Sequence, residues 1–294
     1  MARAVTIAAT QMACSWEIGE NIDRAESLVR EAASRGAQVV LLQELFETPY
    51  FCIDQSARHF DLARPVDGHP TVERFQRLAA ELGVVLPVSI FERAGQAFFN
   101  SLVMIDADGA ALGIYRKTHI PHAVGYHEKY YFSPGDTGFR VWRTRHGVLG
   151  VGICWDQWFP ESARSMALMG AEVLLYPTAI GSDPAAPEED SSGAWLRVQQ
   201  GHAAANLMPL VASNRIGVED GDSASMRFYG SSFIADQTGA IVAQASSDQQ
   251  EVVTAAFDLD EVRRYRERWA MFRDRRPELY GRLLTLDGES GGST

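Results

Sequence analysis

Short apolar segments that alternate with amphipathic ones are the feature of this sequence that most constrains its fold. AVTIAATQ (4–11) and AQVVLLQE (37–44) are apolar almost throughout, which is typical of strands covered on both faces. Between them, apolar residues recur at helical spacing, with Asn21 as the expected N-terminal cap and Gly36 as the expected end. This alternation indicates an α/β fold.

The same order of elements occurs twice along the chain. Each half is predicted to contain strand, helix, strand, helix and strand, followed by a hairpin that turns at 107–109 in the first half and at 238–239 in the second. Two similar halves imply one sheet from each, packed together with the helices outside. We therefore expect a four-layer αββα sandwich of two mixed sheets.

The two halves are predicted to form a single domain, because no linker rich in proline or serine separates them. We expect this domain to span residues 1–283 and to include a C-terminal arm from about 258 to 283. The last residues, 284–294, are rich in glycine and polar side chains and are expected to form a flexible tail.

Composition excludes several classes of function. The 294 residues carry a net charge of −11, whereas a nucleic-acid-binding surface needs a basic stripe. The apolar runs are too short to span a bilayer, and the first residues do not resemble a signal peptide. Three cysteines, Cys14, Cys52 and Cys154, fit a reducing compartment, so we expect a cytoplasmic protein without nucleic-acid or membrane partners. No CxxC or HxxxH pattern indicates a metal site.

Cys154 is a candidate nucleophile within GVLGVGICWDQWFPES (147–162). An isolated cysteine is more commonly a buried structural thiol. Here, however, a strand of small residues precedes the thiol, and a helix that starts with Pro160 follows it. A sharp turn between them would project the thiol toward solvent at the end of the strand, where α/β sheets bind their ligands. The nearby helix N-terminus would favour the thiolate.

Three further residues are candidates for the chemistry that a cysteine nucleophile needs. Glu44 closes an apolar run and could act as a base if burial raises its proton affinity, or it could be a surface carboxylate at a strand end. Lys117, at the end of the first hairpin, is either an exposed charge or an ammonium directed at an oxyanion. Glu128 lies among aromatic residues, as a pocket carboxylate or a salt-bridge partner. The histidines have no spacing that singles one out.

Three segments, in this order, resemble the signature regions of the nitrilase superfamily of carbon-nitrogen hydrolases: LLQELF around Glu44, YRKTHIP around Lys117, and GVGICWDQWFPE around Cys154. The resemblance covers nearly the whole chain. It implies an αββα fold in which Glu44 is the general base, Lys117 stabilises the oxyanion and Cys154 is the nucleophile. Glu128 matches a second glutamate near the lysine. The implied hydrolysis proceeds through a cysteine-linked carbamoyl intermediate, without metal or organic cofactor.

The flanking segments are similar to the branch of this superfamily that hydrolyses N-carbamoylputrescine to putrescine, ammonia and carbon dioxide. Such a small carbamoyl amine substrate needs an acid at the far end of the pocket to bind its ammonium group. Asp183 matches an acidic position of that branch, usually a glutamate, although Ser-Asp-Pro is also a good turn sequence. Four aromatic residues are expected to wall the pocket or to belong to the core: Tyr50, Tyr126, Trp155 and Trp158.

Alternative functions remain open at this point. The same triad would serve an amidase or carbamoylase for another small substrate, such as N-carbamoyl-β-alanine. A non-catalytic member could bind small amines through the same pocket. The superfamily resemblance also implies a homo-oligomer, a dimer or larger, and the segment RRYRERWAMFRDRRPELY (263–280) is either an interface between subunits or an arm that packs on its own subunit.

Overall fold

The computed structural model describes residues 3–186 and 188–289. Its strands are β1 (Ala4–Gln11), β2 (Val39–Leu41), β3 (Leu86–Ala94), β4 (Ala97–Ile105), β5 (Ala111–Arg116), β6 (Val141–Thr144), β7 (Gly147–Val151), β8 (Val173–Pro177), β9 (Leu210–Ser213), β10 (Val218–Asp220), β11 (Ser225–Arg227), β12 (Phe233–Ala235), β13 (Ile241–Gln244) and β14 (Glu251–Asp258). Its α-helices are α1 (Ile18–Ser34), α2 (Pro70–Leu82), α3 (Glu128–Tyr131), α4 (Pro160–Leu168), α5 (Ser192–Asn206) and α6 (Leu259–Trp269).

The strands form two sheets with the same pattern of strand directions, but one strand from the second half, β14, joins the sheet of the first half. In the first, β14-β1-β2 continues into β3-β4-β5 through a parallel bridge between Val39 and Val85. The second has the order β13-β12-β9-β8-β7-β6. In both sheets, parallel pairing in the centre gives way to antiparallel strands at either edge. The predicted pair of mixed sheets is therefore confirmed.

Three layers of apolar packing hold the sheets and helices together. One cluster lies between the two sheets and contains Ile7, Leu41, Leu149 and Leu175. A second packs α1 and α2 on the outer face of the first sheet, and a third packs α4 and α5 on the outer face of the second. Burial of these faces is the main force that joins the layers. The order of layers is helix, sheet, sheet, helix, as the sequence predicts.

The start of α1 differs from its prediction. The helix begins at Ile18, so Asn21 lies inside it and not at its cap. The buried Asn21 side chain accepts a hydrogen bond from the Ser15 N–H at 3.0 Å and donates to the carbonyl oxygen of Glu47 at 2.9 Å. Asn21 therefore ties together the loops before α1 and after β2. Gly36, with φ of 85°, follows the end of the helix as predicted.

The sequence pattern missed the short hairpin of β10 and β11 as well as two edge strands, β6 and β14. Of these, β14 pairs with β1 over its whole length, from Ala4 opposite Asp258 to Gln11 opposite Glu251. The predicted arm begins where β14 ends, and it contains α6 and a short 3₁₀ turn at 281–284. The boundary at 283 stays a prediction. Of the predicted tail, residues 284–289 are largely exposed, and 290–294 lie outside the described residues.

Candidate active site

Four candidate side chains converge, three of them shortly after strands and one at the start of a helix. Glu44 follows β2, Lys117 follows β5 directly, Glu128 is the first residue of α3, and Cys154 follows β7. Glu44, Lys117 and Glu128 are fully buried, and Cys154 is 4% exposed. Both β2 and β7 belong to the parallel part of their sheets, and the carboxyl ends of such strands are where α/β proteins place their sites. The structure thus assembles the residues that the sequence singled out.

The Lys117 ammonium lies between the two carboxylates. Its Nζ is 2.9 Å from Glu44 Oε1, 2.7 Å from Glu128 Oε2 and 2.9 Å from Glu128 Oε1. Burial alone would lower the pKa of this amine, but Glu128 and then Glu44 raise the pKa well above its ordinary value. Lys117 therefore remains positively charged inside the protein, as an oxyanion-stabilising group must.

The two oxygens of Glu44 have different environments. Oε1 accepts hydrogen bonds from Lys117 and, at 2.6 Å, from Asn100 Nδ2. Oε2 is buried and has no hydrogen-bond partner among the described residues. A buried carboxylate oxygen without a donor is costly unless it takes up a proton or meets a ligand. This arrangement fixes one oxygen and leaves the other available as a base. Asn100 was not predicted, since nothing in the sequence relates it to Glu44.

The Cys154 thiol is protonated in the resting site. Burial raises the pKa of this thiol well above its usual value, Glu44 raises it further, and Lys117 acts in the opposite direction. The Sγ atom is 3.6 Å from the carbonyl oxygen of Ala179. The sequence-based expectations of a solvent-facing thiol and of a favoured thiolate are both wrong. Because the thiol is buried and protonated, it needs a base before it can attack.

A sharp turn at Cys154 is held by an acid that the sequence analysis did not single out. Cys154 has φ of 42°, a left-handed conformation that is rare for residues other than glycine. Asp156 is fully buried, and its Oδ2 accepts from the Ile153 N–H at 2.9 Å and the Tyr115 hydroxyl at 2.7 Å. Its Oδ1 accepts from the N–H and the Nδ1 of His119 at 3.0 and 2.7 Å. In the sequence, Asp156 could be related to this turn only by its position two residues after Cys154.

Tyr50 is connected to the charged cluster. Its hydroxyl donates to Glu128 Oε1 at 2.6 Å, and its ring lies edge-on to Tyr126 and to Phe228. Burial raises the pKa of Glu128 to about 7, against the influence of Lys117. Tyr50 therefore fixes the second carboxylate as well as forming part of an aromatic wall.

The other aromatic residues predicted to line the pocket have different surroundings in the structure. The hydroxyl of Tyr126 is 3.1 Å from the carbonyl oxygen of Gly181, and burial first, with a smaller contribution from nearby Cys154, raises the pKa of this hydroxyl. Trp155 follows the nucleophile directly and is 38% exposed. Trp158 is partly buried and packs against the core between the second sheet and its helices, with its ring centroid 6.1 Å from that of Trp155, so its role as a pocket wall stays a prediction.

Asp183 lies in a loop next to Tyr126. Its Oδ1 accepts a hydrogen bond from the Ala185 N–H at 2.8 Å, which is the turn interaction that its sequence context suggested. Its charge also contributes to raising the pKa of Tyr126, although burial of that hydroxyl is the larger cause. Within residues 3–186 and 188–289, Asp183 Oδ2 takes part in no hydrogen bond. Asp183 thus combines a turn contact with one carboxylate oxygen left for a ligand.

Residues 3–186 and 188–289 contain neither a cluster suited to a metal ion nor a membrane-spanning helix. No group of three or more histidine, cysteine, aspartate or glutamate side chains in this part of the chain is arranged to hold a metal ion. None of the helices found there combines the length and the apolar character needed to cross a membrane.

Comparison with known proteins places the chain in a family. The carbon-nitrogen hydrolase family matches residues 6–267. An N-carbamoylputrescine amidase from Oryza sativa subsp. japonica is 57% identical over 290 residues, which cover 97% of this chain and 96% of the relative. A citrullinase from Francisella tularensis subsp. tularensis is 50% identical over 280 residues, covering 95% and 98%. A carbon-nitrogen hydrolase structure from Helicobacter pylori G27 has 38% identity and a TM-score of 0.89, covering 96% of this chain and 99% of that one. Sequence, fold and site agree that this chain belongs to the carbon-nitrogen hydrolase family.

Proposed function

We propose that this protein hydrolyses N-carbamoylputrescine to putrescine, ammonia and carbon dioxide through a carbamoyl group linked to Cys154. The observation that carries the chemistry is the free Oε2 of Glu44, buried in the same site as a protonated thiol and a charged Lys117. The substrate is supported by the relative from rice, which is 57% identical over nearly the whole chain.

The first step forms the bond between sulfur and carbon. Glu44 Oε2 accepts the thiol proton of Cys154, and the thiolate attacks the carbamoyl carbon. The Lys117 ammonium and the backbone N–H of Trp155 stabilise the oxyanion that develops. Loss of one such donor typically lowers the rate on the order of 10²–10³-fold.

The second step releases one nitrogen and then hydrolyses the thioester-like intermediate. Glu44 gives its proton to the leaving nitrogen, which departs as the C–N bond breaks. Glu44 then takes a proton from water, whose oxygen attacks the carbonyl carbon and displaces the Cys154 thiolate. The thiolate takes that proton from Glu44, which restores the resting thiol and carboxylate. The resulting carbamic acid loses carbon dioxide. The products are the same whether ammonia or putrescine leaves first.

Charge at the site favours a cationic substrate. Two fully buried carboxylates face one buried ammonium, so the catalytic cluster carries an excess of negative charge when Glu128 is ionised. We assign the terminal ammonium of the substrate to the free oxygen of Asp183. The rings of Tyr50 and Tyr126 then flank the alkyl chain.

Citrulline hydrolysis is a second candidate. The relative from Francisella tularensis that is named a citrullinase is 50% identical. Citrulline carries a carboxylate beside its ammonium, so its binding needs a cation near Asp183. Arg227 is exposed and bonds through its backbone to Ser182, the neighbour of Asp183, with the Ser182 N–H 2.8 Å from the Arg227 carbonyl oxygen. The Arg227 backbone therefore lies beside the loop that carries Asp183, the proposed ammonium site.

Ammonia release by the purified protein distinguishes these functions. N-carbamoylputrescine, citrulline and N-carbamoyl-β-alanine are supplied separately, with the Cys154→Ala variant as the blank. Turnover that is fastest with N-carbamoylputrescine supports the proposal, and a preference for citrulline supports the second candidate. A preference for N-carbamoyl-β-alanine would remove the argument from Asp183. Turnover by the Cys154→Ala variant would refute the mechanism.

We also propose a cytoplasmic location and a homo-oligomeric assembly. The three cysteines are free thiols, which suits a reducing compartment. The arm after α6 forms a cleft of about 830 Å³ with α4 and α5, and its exposed Leu283 and Leu284 are available for a subunit contact. Cell fractionation tests the first proposal, and light scattering of the purified protein tests the second.

A further inference from the structure

A buried arginine connects the second half of the chain to the loop that carries Glu44. Arg215 follows β9, and its side chain is fully buried. Its Nη1 pairs at 2.8 Å with Oε1 of Glu219, which lies in β10. Removing two charges from water is costly, so such a pair is stable only where further hydrogen bonds satisfy it. The other partners of these two side chains indicate their role.

The guanidinium of Arg215 donates to three backbone carbonyls of one loop. Nη2 is 2.8 Å from the oxygen of Glu44 and 3.1 Å from that of Leu45, and Nη1 is 3.2 Å from that of Thr48. Leu45 has φ of 48°, in the left-handed region that residues with a Cβ atom disfavour. Arg215 therefore holds both the residue that carries the proposed base and the strained residue that follows it.

Glu219 holds the other end of the same loop. Its Oε2 accepts the Tyr50 N–H at 2.5 Å, and the Tyr50 hydroxyl donates to Glu128. Both ends of the loop lead to Lys117, one through the Glu44 carboxylate and the other through Tyr50 and Glu128. The ion pair is thus connected through the backbone to both carboxylates that surround the catalytic ammonium.

We propose that Arg215 and Glu219 are positioning residues that fix the loop 44–50 so that the Glu44 carboxylate reaches the thiol proton of Cys154. Among the described residues, neither side chain of the pair is hydrogen-bonded to the thiol, so they act through the loop. The inference rests on the proposed function, in which Glu44 is the base. A misplacement of about 1 Å in such a group costs on the order of 10²-fold in rate.

Arg215→Lys is the first variant to measure. Lysine keeps the positive charge but lacks the planar guanidinium group that donates to three carbonyl oxygens. We expect its kcat for N-carbamoylputrescine to fall about 30- to 100-fold, with a change in KM below about threefold. Glu219→Gln keeps an oxygen for the Tyr50 N–H, so its kcat should fall only about three- to tenfold. The double variant Arg215→Met/Glu219→Gln leaves no unpaired buried charge and replaces any single variant that does not fold.

Arg266→Lys is the matched control. Both Nη atoms of Arg266 lie 3.3 Å from the carbonyl oxygen of Ala171, remote from Glu44 in the fold, so kcat should stay within about twofold of the wild type. Circular dichroism and the melting temperature confirm that each variant is folded.

Alkylation of Cys154 by iodoacetamide gives a second readout that needs the base but no substrate. We expect Arg215→Lys to slow this alkylation at least about tenfold, since a misplaced base removes the thiol proton less often. A folded Arg215→Lys or double variant whose kcat and alkylation rate both stay within about threefold of wild type would overturn the proposal. If the wild type hydrolyses none of the three substrates, the proposed function fails, and the alkylation rates still decide whether Arg215 positions the base.

Discussion

The turn at Cys154 depends on Asp156, and Asp156→Asn tests this dependence at almost constant volume. The carboxylate accepts hydrogen bonds at both oxygens, whereas an amide accepts at one oxygen and donates from its nitrogen. If the amide oxygen faces His119, the Ile153 N–H and the Tyr115 hydroxyl both lose their acceptor. If the amide is reversed, both donors of His119 lose theirs.

The magnitude follows from the number of donors left without a partner. In either orientation two donors lose their acceptor, and each costs about 1–3 kcal/mol, so the free energy of unfolding should fall by about 2–6 kcal/mol. The same bonds hold Cys154 at φ of 42°. Its release moves the thiol away from the base, and a displacement of this kind costs on the order of 10²-fold in rate.

Urea unfolding and ammonia release measure the two effects separately. Asp236→Asn is the control, because Asp236 also accepts backbone N–H groups, those of Thr238 and Ala240, but does so in the turn between β12 and β13. The control should lose less than about 1 kcal/mol and keep its activity. An Asp156→Asn variant with kcat within about threefold of wild type would show that the turn does not depend on this carboxylate.

Three further predictions concern charge and pH. Asp183→Asn should raise KM for N-carbamoylputrescine about tenfold or more and should change KM much less for an uncharged analogue. Equal changes in KM for the two substrates, measured from initial rates, would show that Asp183 is not the ammonium site. Because burial raises the pKa of Glu128 to about 7, its negative charge is present above pH 7 and lost below it, so kcat/KM for the cationic substrate should decline as the pH falls through 7. The Glu128→Gln variant should not show this decline in its pH–rate profile. A decline that persists in the variant would be due to another titrating group. Iodoacetamide at pH 7 should modify Cys154 before Cys52, as peptide mass spectrometry can show, because Glu44 can accept the proton of Cys154; equal rates would speak against an activated thiol.

The sequence predicted the elements whose burial is complete and continuous, and it found the weakly buried edge strands β5 and β13 only through the turn residues at 107–109 and 238–239. β1 and β8 are runs of apolar residues, so their pattern alone indicated strands covered on both faces. β14 was missed because it is an edge strand with only one fully buried residue, Val252, and its apolar pattern is therefore weak. β6 was missed for the same reason, since only Trp142 in its four residues is buried.

The residues of the candidate site likewise differ in whether the local sequence could identify them. Glu44, Lys117 and Cys154 could be singled out because each ends an apolar segment and because their flanking motifs resemble those of a known superfamily. Asn100 and Arg215 could not, since they act on Glu44 from 56 and 171 residues away along the chain. Burial of the thiol is likewise a property of the assembled layers, which is why the expected exposure of Cys154 was wrong.

The pairing of β14 with β1 affects the order in which the molecule can be completed during synthesis. β1 leaves the ribosome first, yet its antiparallel neighbour is made only when residues 251–258 are translated. Until then, one edge of β1 presents unpaired N–H and C=O groups, the kind of edge that recruits strands from other chains. Every residue of the proposed catalytic machinery, up to Glu219, is already present at that stage. A nascent or truncated chain that ends before β14 should therefore be prone to aggregate, even though it already contains all of the residues that the reaction needs.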